Sequence, residues 1–234
     1  MLVVKDFHKS YGNKEIVKGI SFEVNDGEIF GFIGHNGAGK TTTIKSIVGI
    51  LDFESGEILI DGKSIKKNPI DCKKILAYIP DNPDLYEHLT GIKYLNFICD
   101  LYDVPSDVRL TRIKELSSEL ELEQNLGDSI SSYSHGMKQK LALISAFVHN
   151  PKLLVLDEPF VGLDPKAAFT LKKRMRKMCD EGCSIFFSSH VLEVVEKLCD
   201  KVAILKDGVI MLQGDTEEII SKNSLEEIFL GIEK

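Results

Sequence analysis

Apolar positions along the chain follow two regimes. Up to about residue 81, and again from about 150, short runs of branched and aromatic residues alternate with helix-spaced segments and turn residues. These runs predict strands near 2–5, 20–24, 29–33, 57–60 and 75–79, then near 153–156, 185–187, 202–205 and 209–212. The last two flank Lys206-Asp207-Gly208, a hairpin signal. Between about 82 and 149 the period turns helical, with Ile92, Leu95, Phe97 and Ile98, then Ile113, Leu116 and Leu120, ending in a predicted helix over 138–149. Residues 225–230 read as a short amphipathic helix. Alternating strands and helices predict a largely α/β core.

Glu28 to Ile33 is an apolar strand, and Thr42 to Ile50 carries Ile44, Ile47 and Val48 at helical spacing. Between them, Gly34-His35-Asn36-Gly37-Ala38-Gly39-Lys40-Thr41 fits GxxxxGK[ST]. Strand, glycine loop and helix are the order that phosphate binding needs. Backbone N–H groups converge on phosphate oxygens, and the helix adds its positive N-terminal end. Lys40 is expected to reach the β- and γ-phosphates, and the Thr41 hydroxyl to ligate Mg²⁺. A second run, Leu153 to Leu156, ends in Asp157 and Glu158. Successive strand side chains face opposite ways, so the two acids can divide the work. Asp157 fits the Mg²⁺-associated acid, and Glu158 the base that activates water.

With these motifs in place the chain resembles ATP-binding cassette (ABC) ATPases over nearly its whole length. Tyr133-Ser134-His135-Gly136-Met137-Lys138-Gln139 is similar to the family's signature, which binds ATP held by a second copy of the domain. The resemblance implies further roles. Tyr11 would stack on adenine with Val17 beside it, and Thr42 would join Gly34 to Thr41 around the phosphates. Ser134, His135, Gly136 and Met137 would act in trans, and Asp164, in Gly162-Leu163-Asp164-Pro165, would cross the dimer interface. His190 would contact the γ-phosphate, so Glu158, His190 and Lys40 form the catalytic set. Two motifs depart from the family pattern. His135 and Met137 stand where glycine and glutamine are usual, and Asp81 replaces a glutamine that can ligate Mg²⁺. Both departures resemble ATPase subunits of ABC-2-type exporters.

The implied fold is a P-loop ABC core with a mixed β-sheet, an N-terminal antiparallel β-subdomain and an inserted helical subdomain. Residues 1–234 would form one ATP-binding domain, with about 1–81 and 150–234 as core and about 82–149 as helical subdomain. The implied partners are a second ABC ATPase subunit and an integral membrane permease.

Composition narrows this reading. Of 234 residues, 43% are hydrophobic and 28% charged, as in an ordinary globular protein. No apolar stretch approaches the roughly 20 residues needed to span a bilayer, and no basic-then-apolar leader opens the chain. The expected location is therefore cytoplasmic, peripheral on the inner face of the membrane through the permease. A net charge of −7 argues against nucleic acid as partner. The basic run from Lys172 to Lys177 reads as a solvated helix face. Five cysteines without a CxxC pair predict reduced, buried thiols, and no histidine has metal-ligand spacing. The alternative is a soluble ABC ATPase of assembly or repair, such as iron–sulfur assembly, without a membrane partner.

Overall fold

The computed structural model describes residues 1–233, with side chains to residue 232. Its contacts divide the chain into two units. The first comprises 1–78, 152–159 and 175–234; the second comprises 79–151 and 160–174.

The first unit is built on two sheets. β1 (Leu2–Tyr11), β2 (Lys14–Val24), β4 (Ser55–Ile60) and β5 (Lys63–Ser64) form an antiparallel sheet in the order β2-β1-β4-β5. The larger sheet has the order β10-β9-β3-β8-β7-β6. Here β3 is Ile29–Ile33, β6 Leu76–Ile79, β7 Leu153–Asp157, β8 Ser184–Ser189, β9 Lys201–Lys206 and β10 Val209–Asp215. The neighbours β9, β3, β8 and β7 run parallel, and β10 closes the edge antiparallel to β9. β3, β7 and β8 are buried at every position, which explains their unbroken apolar runs. The remaining helices of this unit are α1 (Lys40–Ile47), α2 (Pro69–Lys74), α7 (Leu192–Leu198), α8 (Thr216–Ile219) and α9 (Leu225–Glu233). The core joins the inner faces of both sheets to α1, with Phe22, Phe30, Phe32 and Phe186 at its centre. The Phe22 ring stacks on Phe186 at 5.2 Å and on Phe30 at 5.4 Å.

The second unit is helical: α3 (Gly91–Leu101), α4 (Ser106–Glu119) and α5 (His135–Phe147), with two short 3₁₀ turns between α4 and α5. α6 (Pro165–Asp180) starts within it.

Every predicted strand is present, but several boundaries moved. β1 and β2 are far longer than 2–5 and 20–24. Register shifts at Val4/Phe7 and Lys9/Ser10, with Asp6 at φ 44°, break the alternation that marks a strand. α5 begins at His135, not Lys138, because Ser134 caps it: the Ser134 Oγ accepts from the Met137 N–H at 3.3 Å. β5 and α2 are too short to carry a periodic signal. Among the described residues, no helix is long and apolar enough to cross a membrane.

Candidate nucleotide site

The glycine loop turns between β3 and α1, with Ala38 N–H on His35 O at 3.2 Å and Thr43 N–H on Gly39 O at 2.9 Å. Gly39 sits at φ 112°, a conformation that side chains rarely adopt. A methyl group there would also stand 3.2 Å from Val17 Cγ2. Val17 is fully buried beneath the loop, so any part it has in nucleotide binding passes through the loop backbone. Thr41 and Asn36 are exposed, and Thr42 and His35 are half-buried. Tyr11, at the end of β1, is 50% exposed and leaves its ring available for stacking.

Lys40 is folded into this loop. Its Nζ donates to Gly34 O at 2.6 Å and His35 O at 3.3 Å, and lies 3.8 Å from Glu158 Oε1. A buried ammonium must be paired, and here loop carbonyls and one carboxylate supply the partners. A phosphate entering the loop offers that ammonium a stronger, doubly charged partner.

β7 delivers the acid pair. Asp157 is 2% exposed and accepts a 2.5 Å hydrogen bond from Ser188 Oγ. Glu158 is turned away by its own backbone, at φ 50°. For a residue with a side chain this conformation costs on the order of 1–3 kcal/mol, and such strain gathers at functional sites. Two groups hold it. The Glu158 N–H donates to Ser188 Oγ at 3.1 Å, and its Oε2 accepts from the His190 N–H at 3.2 Å and meets His190 Nδ1 at 2.9 Å. Thus Lys40, Glu158 and His190, three residues the sequence analysis named, lie together. Ser188 was missed. It is the register partner of Asp157 across β7 and β8, and a buried hydroxyl ending an apolar strand is the signal that could have found it.

The donor set suits Mg²⁺. Thr41 and Asp157 offer hard oxygen ligands. That combination fits an ion that dehydrates reluctantly and keeps waters and phosphate oxygens as its other ligands.

The signature residues lie together in the second unit. Tyr133 is buried, its hydroxyl donating to Asn125 O at 2.6 Å. Ser134 is exposed at the N-cap of α5, and Gly136 and Met137 are half-buried in its first turn. This helix end presents free N–H groups to an anion. Lys138 pairs with Glu87, and Lys140 Nζ lies 3.3 Å from Asp164 Oδ2. Asp164 Oδ1 accepts from the Ala167 N–H at 2.8 Å. That hydrogen bond, with Lys140 beside it, holds the carboxyl below its ordinary range. Asp81 also belongs to the second unit and is exposed.

Comparison with known proteins agrees with this geometry. The ABC transporter family profile matches residues 17–161. The ABC-type transporter ATP-binding protein EcsA of Bacillus subtilis is 34% identical over 100% of this chain and 97% of its own length. The linearmycin resistance ATP-binding protein LnrL of the same organism is 35% identical over 95% of this chain and 71% of its own. A solved structure described as the ATP binding subunit of an ABC transporter superposes with a TM-score of 0.96 at 35% identity, covering 100% of both chains. CbiO1 of Clostridium perfringens, part of the transporter complex cbiONQ, superposes at 0.81 with 27% identity, covering 100% of this chain and 98% of its own. This chain belongs to the family of ABC transporter ATP-binding subunits.

Proposed function

We propose that this subunit hydrolyses ATP to drive export through a separate membrane permease. In this reading two identical or related copies pack head to tail, with ATP between each glycine loop and the partner copy's signature. The observation that carries it is the strained Glu158, fixed between Lys40 and His190 and backed by Ser188. Lys40 would leave the loop carbonyls for the β- and γ-phosphates. Glu158 would then lose one counter-charge and be placed to take a proton from the attacking water. His190 would keep its hold on the carboxylate and order the γ-phosphate. Thr41 and Asp157 would hold Mg²⁺, which supplies charge neutralisation on the phosphate oxygens. From the other copy, Ser134 and Gly136 would close over the same phosphates, beside the positive end of α5, with Asp164 at the interface. Tyr11 would stack on the base.

Two observations support the membrane side of the reading. The segment from Asp84 to Tyr102 exposes an aromatic group: Tyr86 is 49% and Phe97 42% exposed, with ring centroids 5.5 Å apart. Leu101, four residues after Phe97 on the same helix, is 64% exposed. Such a patch fits a cytosolic helix of a permease. The likeness to a linearmycin resistance protein and to the exporter subgroup supports outward transport. The subunit would thus work at the cytoplasmic face of the membrane.

Replacing Glu158 by Gln is expected to keep ATP affinity and lower turnover by about 10²-fold or more, the order of a lost general base. Turnover near the wild-type rate would remove Glu158 from that role. The same variant, tagged and purified with ATP in mild detergent from its own cells, should bring down a polytopic membrane protein. Recovery of soluble partners alone would contradict the transport reading.

A further inference from the structure

His135 is the signature's departure from glycine, and its side chain has a definite place. A methyl group at Gly162 would stand 2.7 Å from both Cδ2 and Nε2 of the His135 imidazole. The ring therefore lies on the bare backbone of Gly162, in the space a side chain would fill. Gly162 sits at φ 78°, so two constraints keep it glycine. Beside this contact, a methyl at Gly136 would meet Gly162 O at 3.4 Å, and Lys140 pairs with Asp164. The first turns of α5 thus touch the 162–164 segment through a ring, a backbone approach and an ion pair.

We propose that His135 is a positioning residue that couples the two ATP sites of the dimer, by tying the signature to the segment that follows the catalytic glutamate of the same chain. The inference rests on the two-copy reading above. There, the signature serves the partner's nucleotide while Glu158 serves its own. Gly162 lies four residues after Glu158 and two before Asp164, and both ends of that stretch are held. Glu158 is fixed by Ser188 and His190, and Asp164 by the Ala167 N–H and Lys140. A displacement of the α5 N-terminus as it meets the partner's phosphate is passed by the imidazole to a short, restrained segment. Its far end is the base of the other site. A glycine at 135 could bind the same phosphate with its N–H but would leave Gly162 uncovered and lose that contact.

The test measures the ATP-concentration dependence of hydrolysis by the full chain. The wild type is expected to approach a Hill coefficient of about 2, the number of sites, and His135→Gly to fall to about 1. His135→Gln, a planar side chain of similar reach, should lie between them. A second arm needs no dimer. Gly162→Ala drives a methyl into the ring, so it should lower the melting temperature more in the wild type than in the His135→Gly background, where only backbone strain remains. Equal losses in the two backgrounds would overturn the contact. A cooperative, dimeric wild type matched in its Hill coefficient by His135→Gly would overturn the coupling alone, as would a dimeric wild type with a coefficient of about 1. A non-cooperative wild type whose Glu158→Gln form stays monomeric in ATP would instead overturn the two-copy reading, and the inference with it.

Discussion

Removing one hydroxyl, by Ser188→Ala, should loosen both acids at once. Ser188 Oγ donates to Asp157 Oδ1 at 2.5 Å and accepts the Glu158 N–H at 3.1 Å. Alanine keeps the shape of the site, so the cavity term is small. What is lost is a hydrogen bond to a charged group, about 1.5–3 kcal/mol, and the partner of a backbone N–H, about 1–3 kcal/mol. Ser188 is fully buried between β7 and β3, so water would replace it only by opening the sheet. The sum is roughly 3–5 kcal/mol, a large part of the 5–15 kcal/mol of a typical domain. For a chain of this size it lowers the melting temperature by about 10 °C. Turnover should fall by about 10–10²-fold, because the base loses the anchor that sets its position. Ser188→Thr separates the two effects. It restores the hydroxyl and most of the turnover, while its added methyl still costs about 1–3 kcal/mol of stability. Urea unfolding and a phosphate-release assay on the three proteins measure both quantities. An alanine variant that loses under about 1 kcal/mol and keeps turnover within about twofold would refute the reasoning.

Three further outcomes are expected. Burial, with Arg112 adding to it, holds His149 down to about 4, below the usual 6.5, while its ring stacks on Tyr102 at 3.7 Å. The unfolded chain then takes a proton that the folded one refuses. This contribution is complete above about pH 6.5 and is lost toward pH 4, on the order of 3 kcal/mol, and His149→Gln should flatten that slope in urea unfolding. Equal acid sensitivity of both proteins would contradict it. Burial pushes the Cys179 and Cys183 thiols up to about 12, and all five cysteines are free and buried. Iodoacetamide at pH 8 should therefore label the native chain at none of them and the denatured chain at all five, read by mass. Asp81→Gln should be tolerated in transport-coupled hydrolysis. Loss of coupled activity with basal hydrolysis intact would make the acid itself part of the transmission.

The fold was legible where one physical rule acted alone. The runs of β3, β7 and β8 announced strands, and they are unbroken because both faces of these strands are covered. The hairpin at Asp207-Gly208 was readable because both residues take positive φ, 50° and 84°, the pattern such turns demand. Legibility failed where two rules competed. In β1, bulges at Asp6 and Ser10 interrupt the alternation, yet pairing with β2 continues to Tyr11. That extension carries Tyr11 out to an exposed position. The start of α5 was set three residues late because apolar period was used and the cap was not, although Ser134 is a capping residue type.

At the site the same division separates identity from posture. Lys40, Asp157, Glu158 and His190 could be named from motif order, since their chemistry dictates residue type. Their arrangement depends on groups that no motif includes. Ser188 fixes one acid by its carboxylate and the other by its backbone, and it finds them through strand register rather than sequence neighbourhood. Glu158 shows why this matters. With φ at 50° the backbone turns the second acid off the strand, which alternation alone would have pointed to the opposite face. The strained turn frees its carboxylate to meet Lys40 and His190. An unstrained residue there would complete β7 more comfortably and leave the lysine without a carboxylate. The local conflict is thus part of how the chain places a carboxylate beside its glycine loop, and Ser188 is the compensation that makes the conflict tolerable.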